Sequence, residues 1–171
     1  YEKILTIDNE RLDIYYYLGD LSLKRYQIDD ALYYYHEAIE CGEESFDIYY
    51  QLGIAYGTIK NYEEAINFFK KAKLLKNSTI IDYQIGIAYY ELDMLNLASN
   101  YLNNYISEYG SDYLALFYLG KCYYKLGQYK QSIIYLYESY KINDNDNRIK
   151  FFIGLNHKDL EEFTEAAKFF K

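Results

Sequence analysis

A Leu-Gly or Ile-Gly pair recurs at Leu18-Gly19, Leu52-Gly53, Ile85-Gly86, Leu119-Gly120 and Ile153-Gly154, with the glycines 34, 33, 34 and 34 residues apart. Nothing else in the chain narrows its fold as much. A period of this length marks a stack of supersecondary units, each too small to bury its own apolar face and therefore obliged to bury it against a neighbour. Other positions keep the same register. Twelve residues after each glycine stands a small residue (Ala31, Ala65, Ala98, Ser132, Ala166), and four further on a large apolar one (Tyr35, Phe69, Leu102, Leu136, Phe170). An aromatic follows three after the glycine at Tyr56, Tyr89 and Tyr123, with Ser22 and His157 as exceptions. The length of 171 residues thus measures about five units rather than the size of one core.

Spacing inside a unit is helical. In the second, Phe46, Tyr49, Tyr50, Leu52, Gly53 and Tyr56 recur at intervals of three and four, and Tyr62, Ala65, Ile66, Phe69 and Ala72 do the same. Each unit is therefore predicted to be two amphipathic helices. A glycine in a helix interior costs roughly 1 kcal/mol against alanine, so its recurrence predicts a close approach of the second helix, with Ala31, Ala65 and Ala98 as the complementary half of the contact. Stop signals between units are Gly42, Asn77-Ser78, Gly110-Ser111-Asp112 and Asn143-Asp144-Asn145-Asp146, which supply caps in a chain without proline.

With Tyr49, Leu52, Gly53, Tyr56, Tyr62, Ala65, Phe69 and Ala72 in place, the second unit resembles the tetratricopeptide repeat (TPR) signature, and the resemblance runs nearly end to end. It implies an all-α fold, a right-handed α-solenoid of antiparallel helix pairs, as a single array over 1–171. Residues 1–11 resemble the end of a preceding repeat, 12–45, 46–78, 79–112 and 113–146 full repeats, and 147–171 a truncated one. The fourth unit departs with Ser132 and Ser139 in place of two alanines, and the third has Tyr105 where the later alanine belongs.

What the resemblance implies for function is a protein-interaction scaffold whose first helices line a concave groove. Groove positions lie six and three before each glycine, and one, four and five after it. Three before stand Tyr16, Tyr50, Tyr83, Phe117 and Phe151, an aromatic row; one after stand Asp20, Ile54, Ile87, Lys121 and Leu155; Tyr90, Tyr124, Lys125 and Arg148 occupy other groove offsets. These residues are the expected partner-binding set, anchoring a peptide segment or a helix. A stripe at helical spacing also serves packing, so spacing alone leaves the ladder's role open. The same offsets place Asp13, Asp20, Asp47 and Glu91 early and Lys121, Lys125, Arg148 and Lys158 late, a gradient suited to a partner with a basic end, an apolar middle and an acidic end. Some members of the family hold a C-terminal carboxylate with Lys and Asn; Tyr16 and Asp20 stand in those places here, so that mode is not expected.

Other chemistry is thin. A net charge of −8 and a pI near 4.8 argue against nucleic acid and anionic membranes as partners. Cys41 and Cys122 lie far apart without a CxxC, and His36 and His157 lack partners at ligand spacing, so neither metal nor cofactor is expected; Cys122 reads as a small buried residue. Phosphate loops and hydrolase motifs are absent, and no catalytic residue or enzyme activity is expected. No stretch is apolar enough to span a bilayer within this fragment, which lacks an initiator Met and reads as a piece of something longer. A cytoplasmic setting is expected, the single Asn77-Ser78-Thr79 sequon notwithstanding. Two alternatives stand beside the scaffold: end-to-end self-association through Phe163, Phe169 and Phe170, and a docking arm of a larger enzyme or regulator.

Overall fold

A computed structural model describes residues 14–170. The segment expected to end a preceding repeat, with Asp13, lies outside them. Among the described residues there are ten helices and no strand: α1 over 14–24, α2 (Ile28–Glu40), α3 (Phe46–Thr58), α4 (Tyr62–Leu75), α5 (Ile80–Glu91), α6 (Leu95–Tyr109), α7 (Tyr113–Lys125), α8 (Tyr129–Ile142), α9 (Asn147–Asp159) and α10 (Phe163–Phe169). Odd and even helices pair within each repeat, as in α3 with α4, α7 with α8 and α9 with α10. The residue missing from the 33-residue interval is taken from the start of α5, which has 12 residues where α3, α7 and α9 have 13.

Every turn inside a repeat is built alike. The residue seven after the glycine has a left-handed backbone: Tyr26 (φ 59°), Lys60 (63°), Asp93 (59°), Gly127 (72°) and Glu161 (62°). The next residue's amide then donates back five residues at 2.8–2.9 Å, as Asn61 N to Tyr56 O and Gln128 N to Tyr123 O, which closes the first helix and starts the second. Between repeats the caps differ. Ser45, Asp112 and Asp146 accept amide protons at the starts of α3, α7 and α9, each quenching an otherwise orphaned donor.

The repeat glycine's role extends one expectation. A Cβ at Gly53 would lie 2.5 Å from the Phe69 ring, at Gly120 2.7 Å from Leu136, and at Gly19 2.6 Å from Tyr35. The space left by the missing side chain is thus filled chiefly by the large residue 16 positions on, with the small one at 12 beside it. The small residues are fully buried alongside. Where they become serine, the hydroxyl finds a backbone acceptor: Ser132 Oγ donates to Gly120 O and Ser139 Oγ to Tyr113 O, both at 2.7 Å, tying α8 to α7.

The described residues fall into two compact units divided between Ile81 and Asp82. The first has a core of Tyr35, Ile48, Leu52 and Phe69; the second is built on Ile85, Leu102, Leu116 and Leu119, with a cluster of Phe117, Leu136, Ile149 and Ile153 joining α7, α8 and α9. Each aliphatic buried here contributes about 1.5–3 kcal/mol.

Candidate functional site

In the second unit α7 and α9 lie side by side, and their facing residues line an open cavity of about 340 Å³. Phe117, Tyr118 and Lys121 come from α7, and Arg148, Phe151 and Phe152 from α9. One helical turn separates Phe117 from Lys121 and Arg148 from Phe152, so each helix presents a ring and a cation on the same face.

Lys121 is the centre of this arrangement. Its Nζ lies 4.3 Å from the Tyr90 ring centroid, 4.7 Å from Tyr118, 5.4 Å from Phe117 and 5.7 Å from Phe152. Burial among these rings holds its pKa below the ordinary lysine value, with Lys125 and Arg148 adding to the effect and Glu91 opposing it. Ring quadrupoles stabilise the charge that desolvation disfavours.

The neighbouring cations are differently placed. Arg148 is held by Asp146, Nη2 to Oδ2 at 2.6 Å and Nε to Oδ1 at 3.0 Å; that contact lowers the aspartate's pKa and raises the guanidinium's. Lys125 donates to Asp93 Oδ1 at 2.8 Å and lies 4.6 Å from the Tyr90 centroid. In the first unit Lys24 donates to Asp20 at 2.6 Å. Of the gradient residues, Asp20, Lys125 and Arg148 are therefore paired within their own units, while Lys121 and Lys158 have no ion-pair partner among the described residues.

The aromatic row is also revised. Tyr16, Tyr50 and Phe151 lean on Tyr35, Phe69 and Phe170 of their own repeats, with centroids 6.3, 5.8 and 6.0 Å apart, and Tyr83 leans on Tyr105 at 5.2 Å. Phe117 is 2% exposed and Tyr90 7%, which makes them core residues rather than platforms; Phe151 is 50% exposed. Tyr124 donates its hydroxyl to Asp159 Oδ2 at 2.8 Å, and burial, with that bond, pushes its pKa up to about 12. Ile87 and Leu155 are half-buried. Ile54 lies in the first unit, where with Leu23, Lys24, Tyr26, Ile28 and Thr58 it lines a cavity of about 400 Å³.

Of the expected set, the structure thus brings Phe117, Lys121, Arg148 and Phe151 to one cavity. Tyr118 and Phe152, two before their glycines, were missed. The position carries only a weak sequence signal for them, since it is Gln51 and Gln84 in the second and third repeats but aromatic in the first as well as in the fourth and fifth (Tyr17, Tyr118, Phe152).

The remaining candidates are structural. His36 hydrogen-bonds the Tyr56 hydroxyl at 2.9 Å, and at the corresponding positions of the last repeats Tyr137 and His157 form the same pair with the residue types exchanged, at 3.3 Å. His157 also bonds Glu162 at 2.6 Å and stacks on Phe169. Cys122 is buried, which pushes its thiol pKa up to about 12, and Cys41 is exposed. Phe163 and Phe170 are exposed as expected, but Phe169 packs against Tyr137 and Tyr140. Among the described residues no cluster of His, Cys, Asp or Glu could hold a metal ion, and no helix is long and apolar enough to cross a membrane.

Comparison with known proteins agrees with this architecture. Two tetratricopeptide repeat profiles match, one over residues 46–79 and one over 83–148, together more than half of the chain. No curated protein sequence matches it. Among solved structures, a crystal structure of MamA protein is 24% identical, with a TM-score of 0.86 over 95% of this chain and 89% of that one. MamA from residue 41 to its end, from Desulfovibrio magneticus RS-1, is 21% identical with a TM-score of 0.88, covering 94% and 91%. YrrB, described as a TPR protein with an unusual peptide-binding site, is 21% identical with a TM-score of 0.78, covering 91% and 80%. At these identities the likeness is one of fold.

Proposed function

The chain belongs to the tetratricopeptide repeat family, and from that premise we propose that it is a non-catalytic scaffold that takes a peptide segment or a helix of a partner protein on its first-helix faces. The observation that carries this reading is the α7–α9 cavity, where exposed aromatic surface at Phe151 adjoins a caged cation. Aromatic and cationic side chains in a concave, partly desolvated setting are the residue types that dominate binding energy at protein interfaces. Catalysis has no comparable support, because the histidines bond structural partners and the Cys122 thiol is buried. Acidic character argues against nucleic acid. A cytoplasmic setting belongs to the same proposal, on the ground of the exposed free thiol at Cys41.

The test is affinity capture with the native chain and with Tyr50→Ala and Phe151→Ala variants. The expected result is loss of specific partners in at least one variant that keeps its helical content. Identical captured sets would show that the first-helix faces are not the binding surface. Self-association is a second reading, favoured by the exposure of Phe163 and Phe170 on the last helix pair; a monodisperse monomer by light scattering at high concentration would remove it.

A further inference from the structure

We propose that the cavity between α7 and α9 is a recognition pocket for one Glu or Asp side chain within a partner's chain, flanked there by an apolar residue. The proposal rests on the scaffold reading above and gives that scaffold a specificity.

Four observations converge on it. The first is the ammonium of Lys121, set among four rings and without a carboxylate partner among the described residues. A half-buried charge is costly unless paired, and rings compensate it only in part. An incoming carboxylate completes the pairing.

The second is charge count. Asp146 neutralises Arg148 and Asp93 neutralises Lys125, and Glu91 offsets part of the Lys121 charge without forming an ion pair with it, so the pocket is at most singly positive. A phosphorylated side chain carries close to two negative charges at neutral pH and is left the more under-neutralised of the two, so a carboxylate is the favoured occupant.

Third, the guanidinium of Arg148 is not exhausted by its aspartate. Asp146 engages Nε and Nη2, while the Arg148 carbon lies 5.4 Å from the Phe117 centroid at the cavity wall. The remaining donors of the planar fork are available for a second acceptor beside Lys121.

The fourth concerns what surrounds the charge. Phe151 is half exposed on one side of Lys121, and Tyr118 and Phe152 line the cavity itself. An aromatic or aliphatic residue next to the acid would cover Phe151, exclude water and strengthen the ion pair at the pocket floor. Tyr90 on α5 and Phe152 on α9 both approach Lys121, so the first helices of three successive repeats meet at the pocket.

The experiment is selection from a random dodecapeptide library displayed with the peptide C-termini fused, so that no free terminal carboxylate is offered. Enriched sequences should share an acidic residue beside an aromatic or aliphatic one. For a capped synthetic peptide from that set, changing the acid to its amide should weaken binding about tenfold or more, and Lys121→Met, which keeps the aliphatic stem, should do the same. Lys141→Met, exposed in the last turn of α8, serves as the control and should leave binding unchanged. Peptides that bind without an acid, and that lose binding on Phe151→Ala but not on Lys121→Met, would overturn the acidic pocket and leave the scaffold reading intact. A selection that enriches nothing, or peptides indifferent to both variants, would overturn both.

Discussion

In the second repeat, α3 and α4 meet at Gly53 with the Phe69 ring in the vacated space, and Ala65 and Ala72 are fully buried beside it. In the fourth, α7 and α8 meet at Gly120 with Leu136 in that space, while Ser132 and Ser139 replace the alanines and donate to backbone carbonyls of α7. The interior accepts a hydroxyl because a backbone acceptor lies within reach, so burial of the polar atom is compensated. On the outer face the constraint disappears. Two before and one after the glycine stand Gln51 and Ile54 in the second repeat, but Tyr118 and Lys121 in the fourth. One skeleton thus supports two surfaces, and the second of them carries the cavity.

The comparison breaks hardest at the glycine contact. Phe69→Ala should cost about 3–5 kcal/mol by urea unfolding. Gly53→Ala alone should cost about 1–3 kcal/mol, because its methyl would meet the ring at 2.5 Å. In the Phe69→Ala background the methyl enters vacated space, and the same change should become favourable by up to about 1 kcal/mol, the helix-propensity difference. A cost that persists there would mean that Phe69 does not fill the space. Gly57→Ala is the internal contrast, since its Cβ meets Ala65 at an ordinary 3.9 Å, and it should stabilise by up to about 1 kcal/mol.

A smaller effect sharpens the serine half of the comparison. Ser139→Ala and Ser132→Ala should each cost about 0.5–1.5 kcal/mol, since alanine fits the site but removes a bond between α8 and α7. Unchanged stability would show that the hydroxyls are tolerated without contributing.

The repeat period, the helix pairs and the cores were legible because packing writes periodicity into sequence: Gly19, Gly53, Gly86, Gly120 and Gly154 can be counted without a structure. The partner of each glycine was read incompletely, because the small residue at 12 is visible in the spacing, whereas only coordinates show the side chain at 16 folding back over the gap. The groove was legible in part. Lys121 and Arg148 were named from their offsets, but pairing with Asp146 and Asp93 depends on side-chain reach between turns and neighbouring helices, which linear spacing does not encode. Phe117 and Tyr90 were taken as surface because their positions repeat; their burial follows from the rings that surround them in this unit alone. Least legible were the left-handed turns, since Tyr26, Lys60 and Glu161 are not residues that announce such a backbone.

Those turns supply the smallest prediction, and one that exchanges the two repeats' properties. Lys60 and Gly127 occupy the same turn position with φ of 63° and 72°. An L-residue there carries a steric cost of roughly 1–2 kcal/mol from its Cβ, and glycine avoids it while losing more backbone freedom on folding, which offsets about 0.4–1 kcal/mol. Lys60→Gly should therefore stabilise the second repeat by about 0.5–1 kcal/mol, and Gly127→Lys should destabilise the fourth by a similar amount. Lys60 is exposed, and a Cβ at Gly127 would meet nothing within 4 Å, so the backbone alone distinguishes the two residues. Paired urea titrations of the single variants and of the double exchange measure this directly. Changes of opposite sign that nearly cancel in the double variant are expected, and changes of the same sign would mean that the two turns do not share one backbone geometry.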